Sequence, residues 1–233
     1  MVPSDTENGD RAMTKSSKFA ASLAVAICLT GWAVSAAASD FTSRSGGASE
    51  TEMLSRSNPL PADGLAFVRP VLTGIMYRAG FKGGDKSRTG LSTAQRGQLC
   101  EAGFSGAFYA DFGKNTDYGQ TSCGSGALNY ESARSSRPAP VMKAVHDRIT
   151  DSGGPILVHC MWGVHASGAL SAMALVQFCD WSEARAKAYW DEARNGAPCS
   201  GGCDAWIDAK FDKFKIDPAL KISADQQAAI CPK

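Results

Sequence analysis

The sequence is short of histidine, of net charge and of long apolar runs, and each shortage closes a class of function. Only three histidines occur, His146, His159 and His165. None follows His165, and no second cysteine pair backs Cys199 and Cys203, so no zinc-type ligand set is expected and no cofactor is implied. Basic and acidic residues number 24 and 23, a net charge of +1. That balance gives no electrostatic case for binding nucleic acid or a lipid surface. The apolar stretch Phe19 to Val34 is too short and too alanine-rich for a membrane span. With Lys15 and Lys18 before it and Ala36-Ala37-Ala38 after it, residues 1–38 read as a signal peptide. The expectation is an exported protein, periplasmic or secreted, with no stable membrane insertion after cleavage. No internal repeat is visible.

Cysteine is what the chain has in quantity. Seven of the eight lie beyond residue 38: Cys100, Cys123, Cys160, Cys179, Cys199, Cys203 and Cys231. In an oxidising compartment most should pair, and an odd number leaves one thiol over. If that thiol is Cys160, the other six can form three bridges in any of about 15 connectivities. No C-x-x-C surrounds Cys160, which disfavours thiol redox chemistry there.

Residues 39–63, rich in Ser, Gly and Thr, read as a flexible linker, leaving 64–233 as one domain. Val68 to Arg78 reads as a strand, and Lys82 to Gly90 as a basic, glycine-rich loop. Ser92-Thr93-Ala94-Gln95 has capping-box form and opens a helix that ends near Gly103. Phe104 to Phe112 alternates as a strand. Gly113 to Gly126 reads as a polar loop, and Ala127 to Tyr130 as a short extended segment. Val141, Val145 and Ile149 recur at four-residue spacing, so Ala139 to Thr150 should be an amphipathic helix. Three further helices are expected, one opened by the capping pattern Asp180-Trp181-Ser182-Glu183 and running through Arg194, one from Trp206 to Phe214 and one from Ser223 to Ile230. The fold class is therefore α/β: a central mixed sheet flanked by helices, with a helical C-terminal third.

The chemistry concentrates in Pro155 to Cys179. Ile156 to Val158 has strand length, His159-Cys160 ends it, and an apolar helix begins at about Ser167. A strand, short loop and helix aim backbone N–H groups and a helix N-terminus at the loop's centre. A cysteine at that point is a candidate nucleophile, and an anion fits beside it.

The ten residues H-C-M-W-G-V-H-A-S-G resemble the signature of the cysteine-dependent protein tyrosine and dual-specificity phosphatases, H-C-x-x-G-x-x-R-[S/T]-G. His159, Cys160, Gly163, Ser167 and Gly168 match. Ala166 stands where the family has an arginine that forks onto two phosphate oxygens. The segment M-Y-R-A-G, Met76 to Gly80, is a second, milder likeness to the start of such domains. The resemblance implies a phosphatase-like fold with Cys160 as nucleophile and Ser167 assisting its departure. His159 would be structural, and residues Met161, Trp162, Gly163, Val164, His165 and Ala166 would form the phosphate loop.

Family members also need an acid roughly thirty residues ahead of the cysteine. Glu131 lies at that spacing, and Asp117 and Asp111 lie further ahead. Arg88, Arg134 and Arg137 are the cations that could replace the one missing at 166 only by reaching in from elsewhere, as His165 would from the loop. Two functions are open. One is an exported phosphatase-like protein that slowly hydrolyses a phosphate monoester on a small molecule or phosphoprotein. The other is an inactive pseudophosphatase serving as a secreted binding or scaffold domain.

Overall fold

The computed structural model describes residues 40–86, 88–110, 116–124 and 126–233. The expected signal peptide, Cys28 and Asp111 lie outside the described residues. Among the described residues six strands form one mixed sheet in the order β1-β2-β6-β3-β5-β4. They are β1 (Leu65–Leu72), β2 (Met76–Phe81), β3 (Gly106–Ala110), β4 (Asp117–Cys123), β5 (Gly126–Ala133) and β6 (Ile156–His159). The inner strands β2, β6, β3 and β5 run parallel, and the edge strands β1 and β4 run antiparallel to their neighbours. Every residue of β6 is buried, as a central parallel strand covered on both faces must be.

Seven α-helices occur among the described residues: α1 (Glu50–Leu54), α2 (Thr93–Glu101), α3 (Ala139–Thr150), α4 (Ala166–Phe178), α5 (Glu183–Arg194), α6 (Cys203–Phe211) and α7 (Ala224–Ile230). One face of the sheet is packed by α2, through Leu99 and Cys100, together with Phe41, Phe104 and the inward side of β3 and β5. The other is packed by α1 and α3 to α7. All thirteen residues of α4 are buried, which is why its sequence is apolar all round instead of striped. The α/β class, the mixed sheet and the helical C-terminal part are as expected.

Three expectations fail locally. Val68 to Arg78 is two strands, because Gly74 adopts φ 68° and turns the chain into a β1–β2 hairpin. The expected polar loop contains β4, whose residues pair with β5 from Asp117↔Glu131 to Cys123↔Gly126. Residues 40–63 belong to the fold and are not a linker: Phe41 and Met53 are buried in the two cores, and α1 carries a complete capping box from Ser49.

Disulfides join Cys100–Cys123, Cys179–Cys231 and Cys199–Cys203, and Cys160 is the free cysteine among the described residues. The first ties α2 to β4, the second ties the end of α4 to the end of α7, and the third sits at the start of α6. These bridges fit an exported protein. No helix among the described residues is long and apolar enough to cross a membrane.

Candidate functional site

Cys160 follows β6 directly, and its N–H still donates to the Ala79 carbonyl at 3.3 Å. One more rung of the β2–β6 ladder thus fixes the cysteine before the chain turns. The turn works because two glycines meet. Gly163 has φ 66°, and a β-carbon there would sit 2.6 Å from the Ala79 carbonyl carbon. A β-carbon on Gly80 would lie 2.5 Å from the Trp162 carbonyl oxygen. The loop can lie against β2 only with both positions bare.

The loop carbonyls are tied to the scaffold. Met161 O accepts from the N–H groups of Phe81 and Asp85, both at 3.3 Å. Gly163 O accepts from Arg78 Nη2 at 3.2 Å. His165 O accepts from Ala169 N at 2.8 Å and Trp190 Nε1 at 3.1 Å. The N–H groups show the opposite pattern. Among the described residues, none of those from Met161 to Gly168 has a protein acceptor. Five belong to the loop and three to the first turn of α4, where the helix dipole adds positive potential. Such an array suits a tetrahedral oxyanion.

At the start of this segment Cys160 Sγ lies 3.3 Å from Ser167 Oγ, and both residues are buried. The structure therefore brings together Cys160, Ser167 and the backbone of Met161 to Ala166. Ala166 is itself buried as the first residue of α4 and offers no side-chain donor.

His165 separates into two parts. Its backbone belongs to the loop, but its imidazole packs towards Trp206 and Trp190, with ring centroids 6.0 and 6.4 Å away. Burial there holds its pKa below the ordinary imidazole value, with the Ala197 and Pro198 backbone opposing the shift. It supplies no cation at neutral pH. Trp162 is partly exposed and lies over Gly84 in the loop after β2.

His159 is fully buried on the opposite face of β6. Its ring stacks on Tyr109 at 4.8 Å, and Nε2 is 3.0 Å from the Tyr130 hydroxyl. Burial pushes its pKa down to about 3, with the Asp85 charge pulling weakly the other way. It is a neutral support, and burial likewise raises the Tyr130 hydroxyl. Asp85 is spoken for: Oδ2 accepts from Gly90 N at 2.8 Å and from the Tyr109 hydroxyl at 3.0 Å.

The expected acid is not brought to the loop. Glu131 sits on β5, two strands from β6, roughly 10 Å at ordinary strand spacing. It lines a separate depression with Thr116, Asp117, Arg134 and Arg137. Arg88 is exposed in the loop after β2.

The loop contact that sequence reasoning missed is Arg78, which bonds the Gly163 carbonyl. It lies on β2 beside Val158 of β6 and is completely buried. The available signal was a charged residue inside the otherwise apolar or small strand Met76 to Phe81, since arginine is almost never fully buried without a reason.

Compared with known protein families the chain matches none, and no curated protein matches it.

Proposed function

We propose that this is an exported phosphatase-like protein whose Cys160 loop binds a phosphate monoester and transfers its phosphoryl group slowly through a cysteinyl-phosphate. The observation that carries the reading is the run of eight consecutive N–H groups, Met161 to Gly168, without a protein acceptor among the described residues, directly after a free cysteine. In the first step Cys160 Sγ gives its proton to water and attacks phosphorus, an S–P bond forms and the ester P–O bond breaks. The leaving oxygen takes its proton from water, because no carboxylate of the described residues has been placed at the loop for that task. In the second step water attacks phosphorus, the S–P bond breaks, and inorganic phosphate leaves. Ser167 Oγ, 3.3 Å from the sulfur, donates to it as it departs. The N–H groups hold the equatorial oxygens throughout.

A second reading, a secreted pseudophosphatase that binds phosphate groups without turnover, is favoured by one observation. Position 166 carries a buried alanine where the resembled family has its forked cation.

Rapid mixing with an aryl phosphate separates these readings. Slow transfer gives phenol release and a phosphate adduct on Cys160 that is trapped by rapid denaturation and is more stable in alkali than in mild acid, both abolished by Cys160→Ser. Phosphate binding with no adduct would favour the binding module. A wild-type protein that binds neither phosphate nor vanadate would overturn both.

A further inference from the structure

Arg78 and Arg69 face each other across the β1–β2 ladder as direct partners, and both are completely buried. Like charges opposite one another destabilise a strand pair, and a buried cation without a partner is costly. Among the described residues no ion pair involves either. Arg69 Nε donates to Ser55 O at 3.0 Å and Nη1 to Ala193 O at 2.9 Å. Burial, and then the charge of Arg78, push its pKa down to about 10. Arg78 is less well satisfied. Nη1 donates to the Tyr189 hydroxyl at 3.3 Å and Nη2 to Gly163 O at 3.2 Å, while Nε has no partner.

The fold thus holds a buried cation without a carboxylate partner among the described residues, with the Tyr189 ring 5.6 Å from its centre, bonded to the loop at Gly163 O. The guanidinium touches both halves of the N–H array. Nη2 bonds Gly163 O, and Nη1 would lie 3.3 Å from a β-carbon at Gly168, in the first turn of α4. Gly168 is bare partly because this guanidinium and the Trp190 ring occupy that space. A cation bonded to the 163 carbonyl polarises the peptide it shares with the Val164 N–H, which is one of the free donors.

Resting on the phosphate-binding reading above, we infer that Arg78 is the counter-charge for the bound anion and makes the loop select dianions. Its charge acts through the 163–164 peptide from behind, with no direct contact to the phosphate. It is a positioning residue that compensates in charge, though not in forked geometry, for the alanine at 166.

The test is binding of phenyl phosphate to the full-length chain in a Cys160→Ser background, at pH 5 and pH 7.5. The ester changes from monoanion to dianion near pH 6. The ionisable groups around the guanidinium are Arg69, Tyr189 and, across the loop, Cys160, and the serine background removes the thiol. His165, the titratable group at the start of α4, is common to all variants and cancels in the comparison. With Arg78 intact, the dianion should bind at least about tenfold more tightly than the monoanion. Arg78→Lys keeps the charge and should keep that ratio, even if both affinities fall. Arg78→Met should reduce the ratio to about twofold or less. A role confined to bracing the loop gives a different pattern: Lys and Met weaken both charge states equally and leave the ratio unchanged, which overturns the inference. If Arg78→Met does not fold, Arg78→Gln, which also removes the charge but keeps an amide donor, takes its place: a ratio reduced to about twofold or less supports the inference, and an unchanged ratio overturns it. Absence of binding by the Arg78-intact protein at both pH values would instead overturn the phosphate-binding reading itself.

Discussion

Replacing Gly163 by alanine should separate the nucleophile loop from β2 and cost the protein both stability and anion binding. Two terms add. A non-glycine residue at φ 66° pays about 1–2 kcal/mol for the left-handed conformation. The β-carbon also overlaps the Ala79–Gly80 backbone, 2.6 Å from the Ala79 carbonyl carbon, and strand backbone cannot rotate away. Overpacking of this kind costs about 1–3 kcal/mol, so the total is about 2–5 kcal/mol. For a domain of this size the melting temperature should fall by roughly 5 to 15 °C. Gly80→Ala is the control. Gly80 has no positive φ, so it pays only the overlap with the Trp162–Gly163 backbone, about 1–3 kcal/mol. The double variant should cost less than the sum, since the loop need move only once. Urea melts of the oxidised proteins give the stabilities, and calorimetric titration with phosphate gives the affinities. Because moving Gly163 also breaks its bond to Arg78, phosphate affinity should fall at least about tenfold. Equal losses in the two single variants would refute the strain term. Two variants within about 0.5 kcal/mol of wild type, binding phosphate normally, would refute the close-approach argument altogether.

Three further outcomes are expected. Ala166→Arg should raise turnover of an aryl phosphate by at least about a hundredfold, a gain that Cys160→Ser removes. A folded variant without gain in steady-state assays would show that the general acid is missing as well. Wild type should lose about 2 kcal/mol of stability between pH 7.5 and pH 5 through His159. The unfolded chain takes up a proton at the ordinary imidazole value, while the folded chain does so only near pH 3, and urea melts of a folded His159→Asn variant should lack that component. Cys179→Ser with Cys231→Ser opens a bridge between positions 52 apart and should cost about 4 kcal/mol in a melt against the oxidised parent.

Much of the fold was legible where local chemistry decides it. Ser92 and Ser223 form the complete capping boxes that their Gln partners three residues on suggest, and the four-residue apolar spacing of Val141, Val145 and Ile149 marks α3 with its observed ends. β4 was not legible because D-Y-G-Q-T-S-C has no apolar alternation. As an edge strand, half exposed, it owes its form to pairing with β5 and to the Cys100–Cys123 bridge. The β1–β2 turn was hidden because Thr73 and Gly74 interrupt a run that is apolar on both sides. Residues 40–63 look like a linker by composition, yet composition cannot show that two isolated apolar side chains, Phe41 and Met53, each find a core.

The candidate site divides along the same line between local and distant information. Cys160, Gly163 and Ser167 lie within eight residues, so their spacing alone locates the loop, its left-handed turn and the hydroxyl beside the sulfur. Arg78 lies 82 positions before Cys160 and joins the loop only because β2 pairs in parallel with β6, setting Arg78 beside Val158. A ten-residue comparison registers the alanine at 166 as a missing charge. In the fold a guanidinium stands against the other side of the same loop, bonded to the Gly163 carbonyl. The two arrangements differ in what they can do. An arginine at 166 would touch two phosphate oxygens and follow them as charge moves in the transition state. A cation behind a peptide raises the affinity for an anion in every state alike. Uniform stabilisation favours binding over turnover, so a site built this way should hold phosphate well and transfer it slowly.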